Sequence, residues 1–419
     1  MRATRLGGAA CAALVAGIGA LALPAVPAAA ACTTGTAPLT VEEERLESQA
    51  VPGQILARSG FDARVTAFAA ALCATTSYTQ ASQVVTTHAG RLWEAAVDRA
   101  QAGPAGGGQL AADDDRPLYW ARLGMTRALR RWVPTHGLSA SRRAVLERSL
   151  ERASRGITSS AFDSGAGRRL FVTGFDPFLL DDEIRRGNPS GAAALTLDGQ
   201  VLTVNGVRIQ VQTVVFPVRY ADFDRGIAEE AIRPHIATGP QRADAITTVS
   251  QGRSEFDLEV FNGRRRSVDS IGDNNNVQGG GTFTAPTVFP GVGPGPEFLR
   301  TSLPLRAMQA VGANPFPINI NPSVWEIPAG ATDPQPRPDG PTAGSVAVEG
   351  SGGGYLSNEV AYRNTLLLAG TAGAPAGGHV HTPTLGSPAD PADITDPGFE
   401  QQRSAIVGQV HAIVARAIP

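Results

Sequence analysis

The chain of 419 residues contains no lysine, and all 36 of its basic residues are arginine. This absence excludes a Walker-type phosphate loop, a Schiff-base lysine and a serine–lysine catalytic pair, because each of them needs a lysine ammonium group. Charged residues make up 18% of the sequence and the formal net charge is −2. This balance favours neither nucleic acid nor an anionic membrane surface as a partner, and we expect no nucleic-acid binding.

The first residues have the pattern of an export signal. Arg2 and Arg5 form a short basic region, an apolar stretch rich in small residues follows, and "AVPAAAAC" offers cleavage just before Ala31 or Cys32. We therefore predict a signal peptide at 1–31, a secreted protein and a mature chain without a stable membrane span. An uncleaved membrane anchor is the alternative, and a lipoprotein attached through Cys32 is a weaker one.

Cysteine is scarce, with three in the sequence and none after Cys73. Chemistry in the second half of the chain therefore does not use a thiol. Cys11 would leave with the signal peptide, and the remaining pair, Cys32 and Cys73, predicts one disulfide in an exported protein. Two free thiols are the alternative.

Residues 41–156 predict a helical segment, because apolar residues recur there at intervals of three and four. Trp93, Trp120 and Trp132 fall within this pattern, and we expect them to pack between the helices. The predicted helical domain spans 32–166.

From about residue 169 the pattern changes to short apolar strands that alternate with helices. "GQVLTVNGVRIQVQTVVFPV" places the pair Asn205-Gly206 between two alternating segments, which is a strong hairpin signal. The alternation predicts an α/β domain at 167–419, a mainly parallel twisted sheet with helices on both faces (an αβα sandwich), preceded by an all-α segment. The Pro/Gly-rich stretches 277–295 and 321–344 are predicted to be surface loops.

The stretch "GGGYLSNEV" at 352–360 leads from a glycine run into a predicted helix, and Ser357 lies at the turn. Such a serine can be a nucleophile beside the free N–H groups of the helix start, or it can be a helix N-cap. In "GGHVHTP", His379 and His381 face the same side of a strand and offer a general base. No carboxylate at metal-ligand spacing accompanies them, so we expect neither a metal nor another cofactor.

Four segments, taken together, resemble the pyroglutamyl peptidase I family of cysteine peptidases, which remove an N-terminal 5-oxoproline from peptides. They are "VTGFDPF" with "NPSG" shortly after it, "GRSEFDLE", "GGGYLSN" and "HVHTP", in the family's order over about residues 169–419. Each segment alone is a weak signal, whereas the set is specific. The helical segment 41–156 has no counterpart in that family.

The resemblance implies roles for individual residues. It gives Ser357 the nucleophile's position, His381 the role of base and Glu259 that of the orienting carboxylate. It matches Phe175 and Phe178 to the aromatic residues that hold the lactam ring. Further positions that it places at or beside the substrate site are Tyr355, Asn358, Gly252 and Arg253.

Two departures from the family weaken the expectation of activity. Serine stands at 357 where the family has cysteine, and Ser270 stands where the family has an arginine, with Arg264–Arg266 nearby but out of register. The implied function is a secreted hydrolase acting on peptides with a blocked N-terminus through a Ser-His-Glu triad. A catalytically inactive module that binds pyroglutamyl peptides, or a structural protein whose purpose lies in the helical segment, remains open, as does the oligomeric state.

Overall fold

The computed structural model of the chain describes residues 33–103, 109–165 and 167–419. The predicted signal peptide and Cys32 lie outside the described residues. Cys73 is disulfide-bonded, and the other two cysteines of the sequence, Cys11 and Cys32, both lie in the part not described. Within the described ranges, no helix combines the length and the apolar character that crossing a membrane requires.

The N-terminal part is helical, as its apolar periodicity predicts. Its helices are α1 Val41–Ser48, α2 Ala50–Ser59, α3 Asp62–Cys73, α4 Tyr78–Gln101, α5 Arg116–Arg131 and α6 Ala140–Ala153. Helix α1 begins with a capping box, in which Thr40 and Glu43 each bind the other's backbone N–H. Trp93, Trp120 and Trp132 are at most 3% exposed, which confirms that they pack in the core.

The second part is built on a seven-stranded sheet in the order β10-β5-β14-β4-β1-β3-β2. Four of its six strand pairs are parallel, and β2–β3 and β14–β5 are antiparallel. Its strands are β1 Arg168–Phe175, β2 Val201–Val204, β3 Val207–Phe216, β4 Ala245–Gln251, β5 Phe256–Glu259, β10 Ile318–Asn321 and β14 Ala376–Thr382. The Asn205-Gly206 turn joins β2 to β3 with positive φ at both residues (50° and 78°), as the hairpin signal predicts.

Helices cover both faces of this sheet, which confirms the αβα architecture. Leu170 and Val172 of β1 face a core shared with the first, fourth and last helices of this part, whereas Phe171 faces a core shared with the second, third and fifth. The helices are α7 Pro189–Leu197, α8 Tyr220–Asp224, α9 Ile227–Ile232, α10 Leu305–Gln309, α11 Leu356–Ala369 and α12 Pro397–Val414.

The structure corrects two predictions made from the sequence. Residues 321–344 are not only a surface loop, because they contain two strands that join a third strand in a separate three-stranded sheet, β12-β11-β13. These strands are β11 Val324–Ile327, β12 Gln335–Arg337 and β13 Val346–Glu349. Four further short strands are β6 Phe261–Gly263, β7 Arg265–Arg266, β8 Thr287–Val288 and β9 Phe298–Arg300. The sequence "ADFDRGIAEEAIRPHI" at 221–236 predicts one helix, but the structure divides it at Gly226, whose φ of 84° interrupts helical backbone between α8 and α9.

The helical part docks on the α/β part through a shared core and buried ion pairs. Leu180, Ala194 and Val215 pack in the same cluster as residues of the N-terminal helices. Asp176, directly after β1, accepts hydrogen bonds from Arg122 at 2.9 Å and from Arg155 at 2.7 Å, and all three side chains are buried. The interface therefore reaches the residue that follows the first strand of the sheet.

Candidate active site

A cavity of about 290 Å³ opens where β1, β4 and β14 end and where α11 begins. The carboxyl ends of parallel strands meet at one edge of an open α/β sheet, which is the usual place for a ligand site. Phe175, Ser250 and His381 come from these three strand ends and line the cavity, and Ser357 lines it from the first turn of α11. The fold therefore brings together segments that are far apart in the sequence.

His381 and Glu259 form a tight pair in the wall of this cavity. The Nδ1 atom of His381 lies 2.6 Å from Oε1 of Glu259. Oε2 of Glu259 accepts a hydrogen bond of 3.0 Å from the Asn321 amide, which also donates to the carbonyl of Ser351 at 2.9 Å. Glu259 is 1% exposed, so its orientation is fixed by these contacts. Nε2 of His381 has no hydrogen-bond partner among the described residues and is the ring nitrogen left for chemistry.

The close packing around His381 explains two glycines of the motifs. A Cβ atom added at Gly252 would lie 2.7 Å from Cβ of His381, which is too close for any real side chain. A Cβ atom added at Gly352 would lie 3.0 Å from Cε1 of the same ring. Glycine at 252 is therefore required for the histidine to occupy its place beside Glu259.

Ser357 is the second residue of α11, and it is not the helix cap. The N-cap is Tyr355, whose side chain makes no capping hydrogen bond. The Ser357 hydroxyl instead donates to the carbonyl of Gly352 at 3.1 Å. No hydrogen bond joins it to the His381 ring, although both residues line the cavity. The first N–H groups of a helix have no partner within the helix and carry its positive dipole end, so this wall can stabilise an anion.

Aromatic side chains form the apolar wall of the cavity. Phe175, Phe178 and Tyr355 all line it, and the rings of Phe178 and Tyr355 lie 6.5 Å apart. The Tyr355 hydroxyl donates to the carbonyl of Gly272 at 3.0 Å. Burial raises the pKa of this phenol far above its usual range, so Tyr355 stays neutral. The structure therefore places the three aromatic residues that the sequence predicts for substrate binding in one wall.

Asn358, which is predicted to bind substrate, does not line the cavity. The residue is fully buried. Its amide oxygen accepts from the Gly263 N–H at 2.8 Å, and its amide nitrogen donates to the Gly263 carbonyl at 2.9 Å. Both ends of the side chain are thus committed to the backbone of β6, and its role is to join α11 to that strand.

His379 belongs to the floor of the site, where both of its ring nitrogens face hydroxyl groups. Its Nδ1 lies 2.7 Å from the Thr248 hydroxyl and its Nε2 lies 2.9 Å from the Ser250 hydroxyl. Its ring packs edge-on against His381, with centroids 4.7 Å apart. Burial lowers the pKa of His379 well below its usual value, and the neighbouring His381 lowers it further. Across the described ranges there is no group of three or more His, Cys, Asp or Glu side chains that could hold a metal ion.

Neither Ser270, which stands where the peptidase family has an arginine, nor the arginines at 264–266 reach the cavity, whereas Arg253 does. Ser270 is exposed and lies outside the cavity lining. Arg266 is buried and bound to Glu359 and Asp224, at 2.7 and 2.6 Å. Arg253, predicted to flank the site, does line the cavity and is exposed. None of the three arginines at 264–266 lines the cavity.

Sequence reasoning missed Asn321 and Ser250. Asn321 is the last residue of β10, and it lies at the start of the stretch 321–344 that the sequence predicts to be a loop. Its contact with Glu259 had no signal in the residue pattern. The apolar run in "ADAITTVS" at 243–250 predicts a strand that ends at Ser250, and a polar residue at a strand end was a usable signal.

Comparison with known proteins gives two kinds of likeness. The family descriptions "PA0049 N-terminal domain" and "PA0049, C-terminal domain" match residues 25–151, and residues 169–308 and 318–386, respectively. A relative named "Uncharacterized protein PA0049", from Pseudomonas aeruginosa, is 34% identical over 461 aligned positions, which cover 86% of this chain and 83% of the relative.

Among solved structures, a mutant pyrrolidone carboxyl peptidase from Pyrococcus furiosus is 19% identical and has a TM-score of 0.39. It covers 59% of this chain and 97% of its own. Pyroglutamyl peptidase I from Bacillus amyloliquefaciens is 19% identical with a TM-score of 0.40, covering 60% of this chain and 95% of its own.

Proposed function

The chain belongs to the PA0049 family, and from the residues of its cavity we propose that it is a pyroglutamyl-peptidase-like hydrolase. It removes an N-terminal 5-oxoproline, or a related acyl group, from peptides through Ser357, His381 and Glu259. The observation that carries the proposal is the 2.6 Å bond between His381 and Glu259 inside a cavity that Ser357 also lines. Nucleophile, base and orienting carboxylate are the three roles that acyl transfer requires.

In the proposed reaction, Nε2 of His381 takes the proton of the Ser357 hydroxyl while Oγ bonds to the carbonyl carbon of the 5-oxoprolyl residue. The carbonyl oxygen becomes an oxyanion beside the N–H groups at the start of α11. His381 then gives the proton to the amine as the C–N bond breaks. Water hydrolyses the resulting ester by the same route, which releases 5-oxoproline and restores the serine.

Ser357 must change its hydrogen bond before it can react. Its hydroxyl now donates to Gly352, so a rotation about χ1 has to bring it toward His381. Catalytic hydrogen bonds are often long or misaligned in unliganded enzymes and form in the substrate complex. The apolar wall of Phe175, Phe178 and Tyr355 offers the flat lactam ring a surface on which to stack.

The test is the release of 5-oxoproline from a chromogenic 5-oxoprolyl amide by the purified protein. We expect turnover in the unchanged chain, and a loss of about 10²–10⁴-fold in His381→Ala, which is the usual contribution of a general base. His88→Ala is the matched control, because His88 lies in α4 of the helical part, away from the cavity. No turnover above buffer in a folded preparation would contradict the proposal.

A second candidate is a module that binds 5-oxoprolyl peptides without hydrolysing them. The bond from Ser357 to Gly352 favours it, because a hydroxyl held by a carbonyl is not activated. Calorimetric binding of a 5-oxoprolyl peptide without turnover would support this candidate over the hydrolase.

The substitution Ser357→Cys separates the two candidates further. A cysteine at a helix N-terminus has a pKa of about 3.5–7.5 and supplies a thiolate in the ground state, which serine cannot do. If the rest of the site is competent, Ser357→Cys raises or creates turnover. Adding Ser270→Arg should contribute less than the first change, because Ser270 is exposed and does not line the cavity. A folded Ser357→Cys variant that binds but does not turn over substrate favours the binding module.

We also propose that the protein acts after export, on the basis of the basic and apolar pattern of residues 1–31. N-terminal sequencing of secreted material should begin near Ala31 or Cys32. Recovery of the protein only from the cytoplasm, as a chain that begins at Met1 or Arg2, would contradict this.

A further inference from the structure

The cavity contains a polar group that the proposed reaction does not use. Ser250, at the end of β4, lines the cavity and is 4% exposed. It lies directly beside His381 in the parallel pairing of β4 with β14. Its hydroxyl is bound to the buried His379, at 2.9 Å from Nε2. Ser250 is therefore adjacent to the reacting groups, but its hydroxyl is hydrogen-bonded to His379 and not to any of them.

The contacts on the other side of His379 fix the direction of that hydrogen bond. Nδ1 of His379 lies 2.7 Å from the Thr248 hydroxyl, which in turn donates to the Gly378 carbonyl at 3.1 Å. A carbonyl oxygen only accepts, and a threonine hydroxyl has one proton to give. All these contacts are satisfied together when Thr248 donates to Gly378 and accepts from Nδ1–H of His379. Nε2 is then unprotonated and accepts the proton of the Ser250 hydroxyl.

These hydrogen bonds require that the imidazole of His379 is neutral, and the surroundings of the ring favour the neutral form. The ring is fully buried, and no carboxylate bonds to either nitrogen, since both nitrogens face hydroxyl groups. Burial and the neighbouring His381 both lower the pKa of His379. A single ring proton, on Nδ1, is consistent with both the hydrogen bonds and the electrostatics.

With its proton committed to His379, Ser250 can offer the cavity only the lone pairs of its oxygen. It is thus a hydrogen-bond acceptor of fixed polarity in a mainly apolar cavity. We propose that Ser250 accepts a hydrogen bond from the ring N–H of the 5-oxoprolyl group and so selects a lactam. This inference rests on the proposed function. A lactone of the same size carries a ring oxygen at that position, which cannot donate and would face another acceptor.

The experiment compares the binding of 5-oxoprolinamide with that of its lactone analogue, 5-oxotetrahydrofuran-2-carboxamide, by calorimetry. All titrations use the Ser357→Ala background, so that hydrolysis does not consume the ligand. We expect the background protein to prefer the lactam by roughly 10- to 100-fold, because the lactone leaves a buried acceptor without a donor. Adding Ser250→Ala should reduce this preference to less than about threefold. Adding Ser254→Ala, the same change at an exposed serine outside the cavity lining, should leave it intact.

The outcomes separate this inference from the proposed function. If the lactam preference survives in Ser250→Ala, another group recognises the ring N–H, and the inference fails while the function stands. If the background protein prefers the lactone, Ser250 acts as a donor and the inference fails. If the folded background protein binds no 5-oxoprolinamide, the proposed function fails first and the inference falls with it.

A measurement without ligand tests whether the Ser250 hydroxyl donates its proton to His379. The nitrogen NMR spectrum of His379 should have the pattern of the neutral tautomer that is protonated at Nδ1. The Nε2–H tautomer would overturn the inference, whatever the binding results.

Discussion

The helical part and the cavity of the α/β part use charged groups in opposite ways. The helical part contributes buried arginines that are bound to buried carboxylates, as in Arg116 with Asp114 at 2.5 Å and Arg122 with Asp176 of the α/β part at 2.9 Å. In the cavity of the α/β part, the central pair of His381 and Glu259 leaves Nε2 of the histidine uncommitted. Charged groups of the helical part are used for docking, whereas the pair in the cavity leaves one ring nitrogen available for chemistry.

The two parts meet at loops that form the cavity wall. Asn274 accepts from Arg45 through its carbonyl at 2.7 Å, and its amide donates to Glu42 at 3.2 Å and to the carbonyl of Pro177 at 2.9 Å. Pro177 precedes Phe178, and Ile271 of the neighbouring loop also lines the cavity. None of the residues that line the cavity in the described part of the chain comes from α1–α6. The helical part therefore supports the wall of the site without contributing to its lining.

The largest effect is expected at the junction, from Asp176→Ala. This change leaves the buried guanidinium groups of Arg122 and Arg155 without their shared carboxylate, and removing one partner of a buried ion pair typically costs about 3–5 kcal/mol. Urea unfolding measures the loss in the free energy of unfolding. Asp339→Ala, at an exposed aspartate, is the control and should change little. A loss below about 1 kcal/mol for Asp176→Ala would mean that the buried pairs do not hold the two parts together.

The second effect is a loss of activity without a loss of stability, which we expect for Glu259→Gln. An amide at 259 keeps the shape of the side chain but no longer stabilises the imidazolium or fixes the ring with Nε2 free to accept a proton. The equivalent change in a serine protease triad lowers kcat by about 10⁴-fold. We expect a loss of about 10²–10⁴-fold in 5-oxoproline release with an unfolding midpoint close to that of the unchanged chain. Glu255→Gln, at a residue outside the cavity lining, is the control, and equal activity in both variants would remove Glu259 from the mechanism.

The third effect is a pH dependence of stability that originates in the helical part. Burial raises the pKa of Asp115 to about 7, the adjacent Asp114 raises it as well, and Oδ1 of Asp115 has no hydrogen-bond partner. An acid whose pKa is raised by folding stabilises the fold while it is protonated, and this contribution is lost as the pH rises from about 4 to about 7. Asp115→Asn cannot ionise, so its stability relative to the unchanged chain should increase by up to about 4 kcal/mol over that interval.

Unfolding in urea at pH 4 and pH 8 measures this difference for Asp115→Asn. The exposed Glu44→Gln is the control and should follow the unchanged chain at both pH values. A constant difference between Asp115→Asn and the unchanged chain would show that folding does not raise the pKa of Asp115.

The sequence predicts the parts of this fold that depend on local pattern. Helical periodicity and the Asn205-Gly206 turn are properties of neighbouring residues, and both predictions are confirmed. The strands β11 and β12 were missed, because they are short, lie in a stretch rich in proline and glycine, and are held by pairing with each other and with β13. Local propensity carries little information about such strands.

The site was predictable where the chemistry sits in a motif and not where it depends on tertiary contacts. His381 and Glu259 were predicted as a pair, and the structure places them in contact. Asn358 lies in the same motif as Ser357 but faces the backbone of Gly263, because successive residues of a helix point in different directions. The contact between Asn321 and Glu259 joins residues 62 positions apart, and no spacing rule connects them.

The most direct test of the account is the site at which the protein is acylated. An activated 5-oxoprolyl ester is mixed with the protein, the reaction is quenched within the first turnover, and the modified peptide is located by mass spectrometry. The account predicts a 5-oxoprolyl group on Ser357, absent in Ser357→Ala and strongly reduced in His381→Ala. Acylation of another residue, such as Ser250, or an unchanged modification in Ser357→Ala, would contradict the assignment of Ser357 as the nucleophile.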